Sequence, residues 1–435
     1  MAVLTKVVRG ASVAFATQAV VVVLNLVSGI LLARELSVDD RGVAALISLG
    51  TTLLGFLGGL GLSELIVRST GTVALTPRAV VAVVAGAVAV ALVGPVVLLV
   101  ADDRSTAATV VTVGVITLLS AQNSWVMAAL FTRYGIGVLA VLQLCYSLSV
   151  LVGFALLAWT QGALSVPGVS AVWLSAEVVI LVICFVTLAR GRSLTLTERL
   201  VGAPVQAAGS TGADMGVELI SARRVSGAGL AHSLAQVGVS LADRGLVLLA
   251  TVVGGLPATA QITVAQSAGS PMSMPVQALT NPLLAEAKQR RGPRLTYGMV
   301  AGTTVVLAAV AAAVAYPHII VALFGPSYAE LERLSWMIVL FGVFAAAWRL
   351  LHIWLRGTRR PSAAMASDVA ALSAATLLAA VHPSGEIGWL LVYLVVYAAA
   401  GLVAALVLSV SARTPSVTER HGPSDIFSAE GGVSS

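Results

Sequence analysis

Charge is what this chain has least of. Asp, Glu, Lys and Arg together make up 10% of its 435 residues, hydrophobic types make up 58%, and the mean hydropathy is +0.99. So few charges cannot solvate the exterior of a water-soluble fold of this length, which excludes that class. Lysine is nearly missing: Lys6 and Lys288 stand against 23 arginines. With Ala, Val and Gly dominant, this is the composition of a GC-rich bacterial genome. Cysteine occurs twice, as Cys145 and Cys184, both inside apolar runs. They read as small fillers rather than as a disulfide or a metal site. No basic stripe with interleaved aromatics is present, so nucleic acid is discounted as a partner. A Gly-rich phosphate loop, an HExxH pair and a Ser/His/Asp order on loops are missing too. The chain is therefore expected to be no enzyme, with no cofactor and no metal.

What is there is a series of twelve apolar runs, near residues 11–33, 43–67, 79–101, 107–131, 135–159, 168–189, 230–253, 257–284, 296–318, 334–355, 361–381 and 387–411. A helix needs about 20 residues to cross a hydrocarbon core about 30 Å thick. The runs are continuous rather than alternating, so helices are predicted, not a barrel. The first run is too long for a cleavable signal and lacks a small-residue cleavage site. Lys and Arg alternate between gaps: nineteen fall at the N-terminus and in every second gap, and only Arg34, Arg41, Arg104 and Arg333 fall in the others. Positive residues stay inside, which predicts cytoplasmic termini in a bacterial plasma membrane. The net charge of +6 is this bias. The outward loops are short, whereas a membrane glycosyltransferase or ligase would carry a large one.

The longest internal polar segment, 190–229, divides the runs six and six. The expected organisation is an N-lobe over 1–189, a cytoplasmic and partly mobile linker over 190–229, a C-lobe over 230–411 and a disordered tail over 412–435. Equal halves entering the membrane in one direction suggest two six-helix lobes around a central cavity. The fold class is thus an all-α membrane protein of about twelve transmembrane helices. Support for an internal repeat is positional only, between 31–42 and 248–259.

Ionisable groups deep in a bilayer are costly and usually face a partner or a wet cavity. Glu177 and Arg244 each lie roughly 14 Å from the outer end of their runs, near the midplane. Asp243 neighbours Arg244 but points about 100° away around the helix. Arg349, His352 and Arg356 share one helical face. Arg349 and Asp368 lie about 9 and 10 Å from the cytoplasmic end. Two readings stay open for these groups: ion pairs that hold helices together (Arg349 with Asp368, Glu177 or Asp243 with Arg244), or a substrate site. His352 reads first as a packing or interfacial residue. Gly55 and Gly59 form a GxxxG step that reads as a tight helix contact. In run eight, Pro271 and Pro275 each remove a donor and free the carbonyls of Ser267 and Pro271, which predicts a bent or locally unwound helix, with Gly269, Pro271 and Pro275 as hinge candidates.

Four ordered stretches carry a family resemblance: ARELSVDDRGVAAL over 33–46, ADRGLVLL over 242–249, QALTNPLLA over 277–285, and LFGPSY over 323–328 with GTRRP over 357–361. The chain resembles the polysaccharide and O-antigen flippases of the multidrug/oligosaccharidyl-lipid/polysaccharide flippase superfamily, although Ser37 stands where Gly is usual. The resemblance implies a carrier that moves a polyprenyl-pyrophosphate-linked saccharide from the inner to the outer leaflet by alternating access. It also places Arg244 beside a central vestibule. A coupling ion (H+ or Na+) and a polysaccharide polymerase or glycosyltransferases are the partners it suggests. The alternative is a multidrug-extrusion cation antiporter of the same superfamily, for which Glu177, Asp243 and Asp368 would supply acidic groups.

Overall fold

The computed structural model describes residues 2–60, 73–101, 107–134, 136–190, 218–225, 230–278, 296–357 and 361–411, with Leu62, Leu65, Ile66 and Gly227 besides. Helices dominate: α1 (Ala2–Glu35), α2 (Val38–Gly58), α3 (Pro77–Ala101), α4 (Ala107–Tyr134), α5 (Ile136–Gln161), α6 (Val166–Arg190), α7 (Leu230–Ala278), α8 (Thr296–Phe324), α9 (Ser335–Gly357), α10 (Pro361–Val381) and α11 (Ile387–Ser411). Most are apolar all round, as helices facing lipid on one side and protein on the other must be. Among the described residues, nine segments are long and apolar enough to cross a membrane.

α7 is one helix by its hydrogen bonds and two by its path. Gly255 has φ 68° and ψ −160°, a region open essentially to glycine alone. The Thr251 and Thr259 hydroxyls meet at 2.7 Å. Eight residues along a straight helix would put them about 12 Å apart, so the chain reverses here. With α7 counted as two limbs, the described residues hold twelve long helical segments, the number of apolar runs in the sequence. Pro257 follows the reversal at the start of the second limb, where its missing N–H does no harm.

α1 to α6 pack mainly on one another, as do α7 to α11, and the two groups meet where α1 and α2 lie against α7. The largest buried cluster belongs to the second lobe and takes in Ala33, Ala45 and Leu49 of the first. Two polar or close contacts mark the seam. Near the α1–α2 turn, Gly42 lies against Leu256, so near that a Cβ on residue 42 would sit 2.3 Å from the Leu256 carbonyl oxygen. Toward the other end of α2, the Ser233 hydroxyl donates to the Phe56 carbonyl at 3.0 Å.

One element departs from an all-helical reading. Strand β1 (Val73–Leu75), after α2, pairs in parallel with β2 (Glu218–Ile220), from the inter-lobe segment. Ile220 and Val225 are buried among Leu62, Leu65, Ile66, Ala79, Val83 and Ala128. The end of the segment expected to be a loose linker is thus docked on the first lobe. Residues 191–217 and the tail from 412 lie outside the described residues.

Candidate functional site

The α1–α2 turn is set by Ser37. Its hydroxyl oxygen accepts from the Asp40 amide at 3.1 Å, and Asp39 and Asp40 occupy the first turn of α2, where carboxylates suit the helix dipole. This cap fixes the rotation of α2. Arg41, Ala45, Ser48 and Thr52 then follow at helical spacing and line one wall of a central cavity of about 760 Å³. α1 adds Asn25 and Ser28. α5 and α6 add Tyr146, Phe154 and Trp173. The second limb of α7 adds Thr263, Gln266, Ser267 and Ser270, while α9 and α10 add Trp348, Arg349, His352 and Asp368. The cavity therefore lies between the lobes, with residues of both on its walls.

Two predicted site residues reach it, Arg349 and Asp368. The Arg349 guanidinium donates to the Ser273 hydroxyl at 3.3 Å. Asp368 is paired with His352, whose Nε2 lies 3.1 Å from Oδ2. The histidine read first as a packing residue thus holds the buried carboxylate. α9 segregates its polar groups more than the other long helices do, which turns Arg349 and His352 to the same wall.

Glu177 is placed elsewhere. It is buried between α4 and α6, where the Asn123 side-chain amide donates to its carboxylate and, at 3.1 Å, to its backbone carbonyl. It is not on the cavity wall. Asp243 and Arg244 belong to the first limb of α7, but their side chains lie outside the described residues. The stretch 267–275, predicted to bend or unwind locally, keeps helical dihedrals: Gly255 is the one residue of α7 with non-helical dihedrals. At Pro271 a serine compensates. Pro271 has no N–H for the Ser267 carbonyl, and the Ser270 hydroxyl donates to that carbonyl instead, at 2.8 Å. Gly269 is a packing position, since a Cβ there would lie 2.9 Å from the Phe341 ring.

Sequence reasoning missed Arg41, counting it among loop charges. It is 5% exposed, and its Nε has no hydrogen-bond partner among the described residues; the hydroxyl of Ser28, 6% exposed, has none either. The available signal was the shared helical face of Arg41, Ser48 and Thr52. Close by, in the turn Pro326–Tyr328, burial pushes the Tyr328 phenol above its ordinary range, with the Arg41 charge opposing. Arg41 stands in the first turn of α2, near the α1–α2 end of the bundle, whereas Arg349 lies roughly 20 Å along α9 from that helix's start. The cavity thus has a cationic group toward each end.

No family model matches the chain, and no curated protein matches it. Solved structures do. A MATE in the straight conformation superposes with a TM-score of 0.60 at 15% identity, over 94% of this chain and 96% of that one. The inward-facing conformation of a multidrug resistance MATE family transporter of the MOP superfamily gives 0.59 at 16%, over 93% and 100%. A MOP superfamily transporter from Pyrococcus furiosus, whose reversed binding-pocket polarity suggests a different function, gives 0.59 at 15%, over 93% and 94%. At these identities the likeness is one of fold.

Proposed function

We propose that the chain is an alternating-access flippase carrying a polyprenyl-pyrophosphate-linked saccharide from the inner to the outer leaflet of a bacterial plasma membrane. The charge of the cavity wall carries this reading. Two guanidinium groups, Arg41 and Arg349, stand with one carboxylate, Asp368, which His352 already holds. Such a wall suits an anionic headgroup. Arginine binds phosphate oxygens in pairs, and the neutral hydroxyls and amides between the two suit a saccharide. A headgroup crossing hydrocarbon unaided would lose several kcal/mol for each polar group left unpaired. A cavity of about 760 Å³ holds a headgroup while the prenyl tail stays in lipid. The fold's likeness to carriers solved in outward- and inward-facing conformations supports rocking of one lobe on the other. The drive would be a coupled ion, or the membrane potential, worth about 2.3 kcal/mol per charge per 100 mV. Glycosyltransferases would supply the substrate and a polymerase consume it.

The second reading, extrusion of cationic amphiphiles, has the names of the structural neighbours in its favour. It requires an acidic cavity, and Asp368 is the single carboxylate among the described lining residues. Deleting the gene separates the two. Under the flippase reading, lipid-linked saccharide accumulates on the cytoplasmic face and surface polymer is depleted. Intact surface glycans with new sensitivity to cationic dyes would establish the antiporter in its place.

A further inference from the structure

We infer that Arg41 and Ser28 form a diphosphate-binding site at the α1–α2 end of the cavity, a site for the charged end of an amphiphile rather than a structural contact. The inference rests on the flippase reading and adds to it the place where the anion is held.

The argument starts from what a buried cation costs. A guanidinium withdrawn from water is tolerated when a carboxylate or a full set of acceptors replaces its hydration. Arg41 is 5% exposed, and among the described residues it forms no salt bridge and its Nε donates to nothing. The other charged groups of the cavity are engaged: Arg349 with Ser273, His352 with Asp368. Ser28, on the neighbouring helix of the same hairpin, presents a second orphaned donor to the same cavity. α1 and α2 run antiparallel from a two-residue turn. Counted from that turn, Ser28 and Arg41 differ in depth by roughly 6 Å, within the reach of an arginine side chain. Two buried donors, neither paired with a carboxylate, open on one cavity and form an oxyanion site by chemistry. A planar guanidinium suits paired phosphate oxygens, and a hydroxyl suits a bridging or terminal oxygen.

A structural arginine and a ligand-binding one respond oppositely to replacement. Loss of a structural ion pair lowers the melting temperature. Loss of an orphaned buried cation removes an unpaid desolvation, so the ligand-free protein melts at the same temperature or higher.

The test uses purified full-length protein in lipid nanodiscs, with geranyl diphosphate, geraniol and inorganic pyrophosphate as probes. Binding is read by tryptophan fluorescence, since Trp173 and Trp348 line the cavity. Arg41→Gln is expected to weaken geranyl diphosphate by at least about tenfold, the loss of one charge-assisted contact. Ser28→Ala should weaken it by a smaller factor, and Arg41→Lys should keep part of the affinity. Geraniol binding should be indifferent to all three, and the melting temperature of Arg41→Gln should not fall. Pyrophosphate that binds as tightly as geranyl diphosphate, with the same Arg41 dependence, would keep the anion site and assign it to a soluble anion. Unchanged geranyl diphosphate affinity in Arg41→Gln would overturn the site. So would a lower melting temperature with unaltered anion affinity in Arg41→Lys and Ser28→Ala. Flipping of a fluorescent lipid-linked saccharide in proteoliposomes, run in parallel, separates the two claims. Full flipping by Arg41→Gln removes the site and spares the flippase. Arg41-dependent binding without flipping by the wild type spares the site and removes the flippase.

Discussion

A buried carboxylate in the middle of a helix bundle persists only where hydrogen bonds replace its hydration, and for Glu177 the described donor is Asn123. Asn123→Ala removes the donor without adding bulk to a buried site. It should cost about 1–3 kcal/mol, the penalty for a buried acceptor left unsatisfied, seen as a lower melting temperature in detergent. Adding Glu177→Leu should recover part of the loss, because the stranded group is then gone; a second loss of equal size would mean that Glu177 has a further role. The sequence marked Glu177 as deep and costly, but its partner is 54 residues away on another helix. Which faces of two helices meet depends on packing between runs that are apolar all round, and hydropathy carries no signal for it. The same limit explains Asp368. Both it and Arg349 were legible as ionisable groups within apolar runs, with an ion pair and a substrate site both open as readings. That His352, one turn beyond Arg349, holds the carboxylate depends on a difference of one helical turn in the register of α9 against α10.

Among the elements, α7 shows how local chemistry overrides a strong sequence signal. Two prolines four residues apart predict a bent or locally unwound helix, yet the dihedrals stay helical, and Ser270 supplies a hydroxyl where Pro271 lacks an amide. Ser270→Ala should therefore cost roughly 1 kcal/mol, measured by thermal unfolding. In a Pro271→Ala background the amide of residue 271 can serve the Ser267 carbonyl, and the same serine replacement should cost much less. Equal costs in both backgrounds would show that the Ser270 hydroxyl does not compensate for the proline. The reversal at Gly255 was legible as a gap between two apolar runs, with Gly254, Gly255 and Pro257 as punctuation. The β1–β2 pairing was not. Three residues on either side, far apart in the chain, are too short a pattern to stand out from the polar segment around them.

At the scale of the molecule, alternating access requires that the seam between the lobes open at one end at a time. At the α1–α2 end the lobes meet backbone to backbone: Gly42 faces Leu256 so closely that an added Cβ would meet the carbonyl oxygen at 2.3 Å and the carbonyl carbon at 2.9 Å. Backbone cannot rotate aside as a flexible side chain can, so Gly42→Ala has to move α2 away from the α7 turn. In a rigid scaffold the result would be destabilisation alone. In a two-state carrier, the conformer open at this end relieves the clash, and the population shifts toward it. A bias of about 1 kcal/mol changes the ratio of states roughly fivefold. The cavity residue Ser48, replaced by cysteine in a background where Cys145 and Cys184 are alanine, reports the change. A membrane-impermeant maleimide applied from the side of the α1–α2 turn, which the charge bias predicts to be the exterior, should label it several times faster in Gly42→Ala than without that change. Unchanged labelling with a lower melting temperature would make the Gly42–Leu256 contact a fixed joint, and any opening would then lie at the Phe56–Ser233 end of the seam.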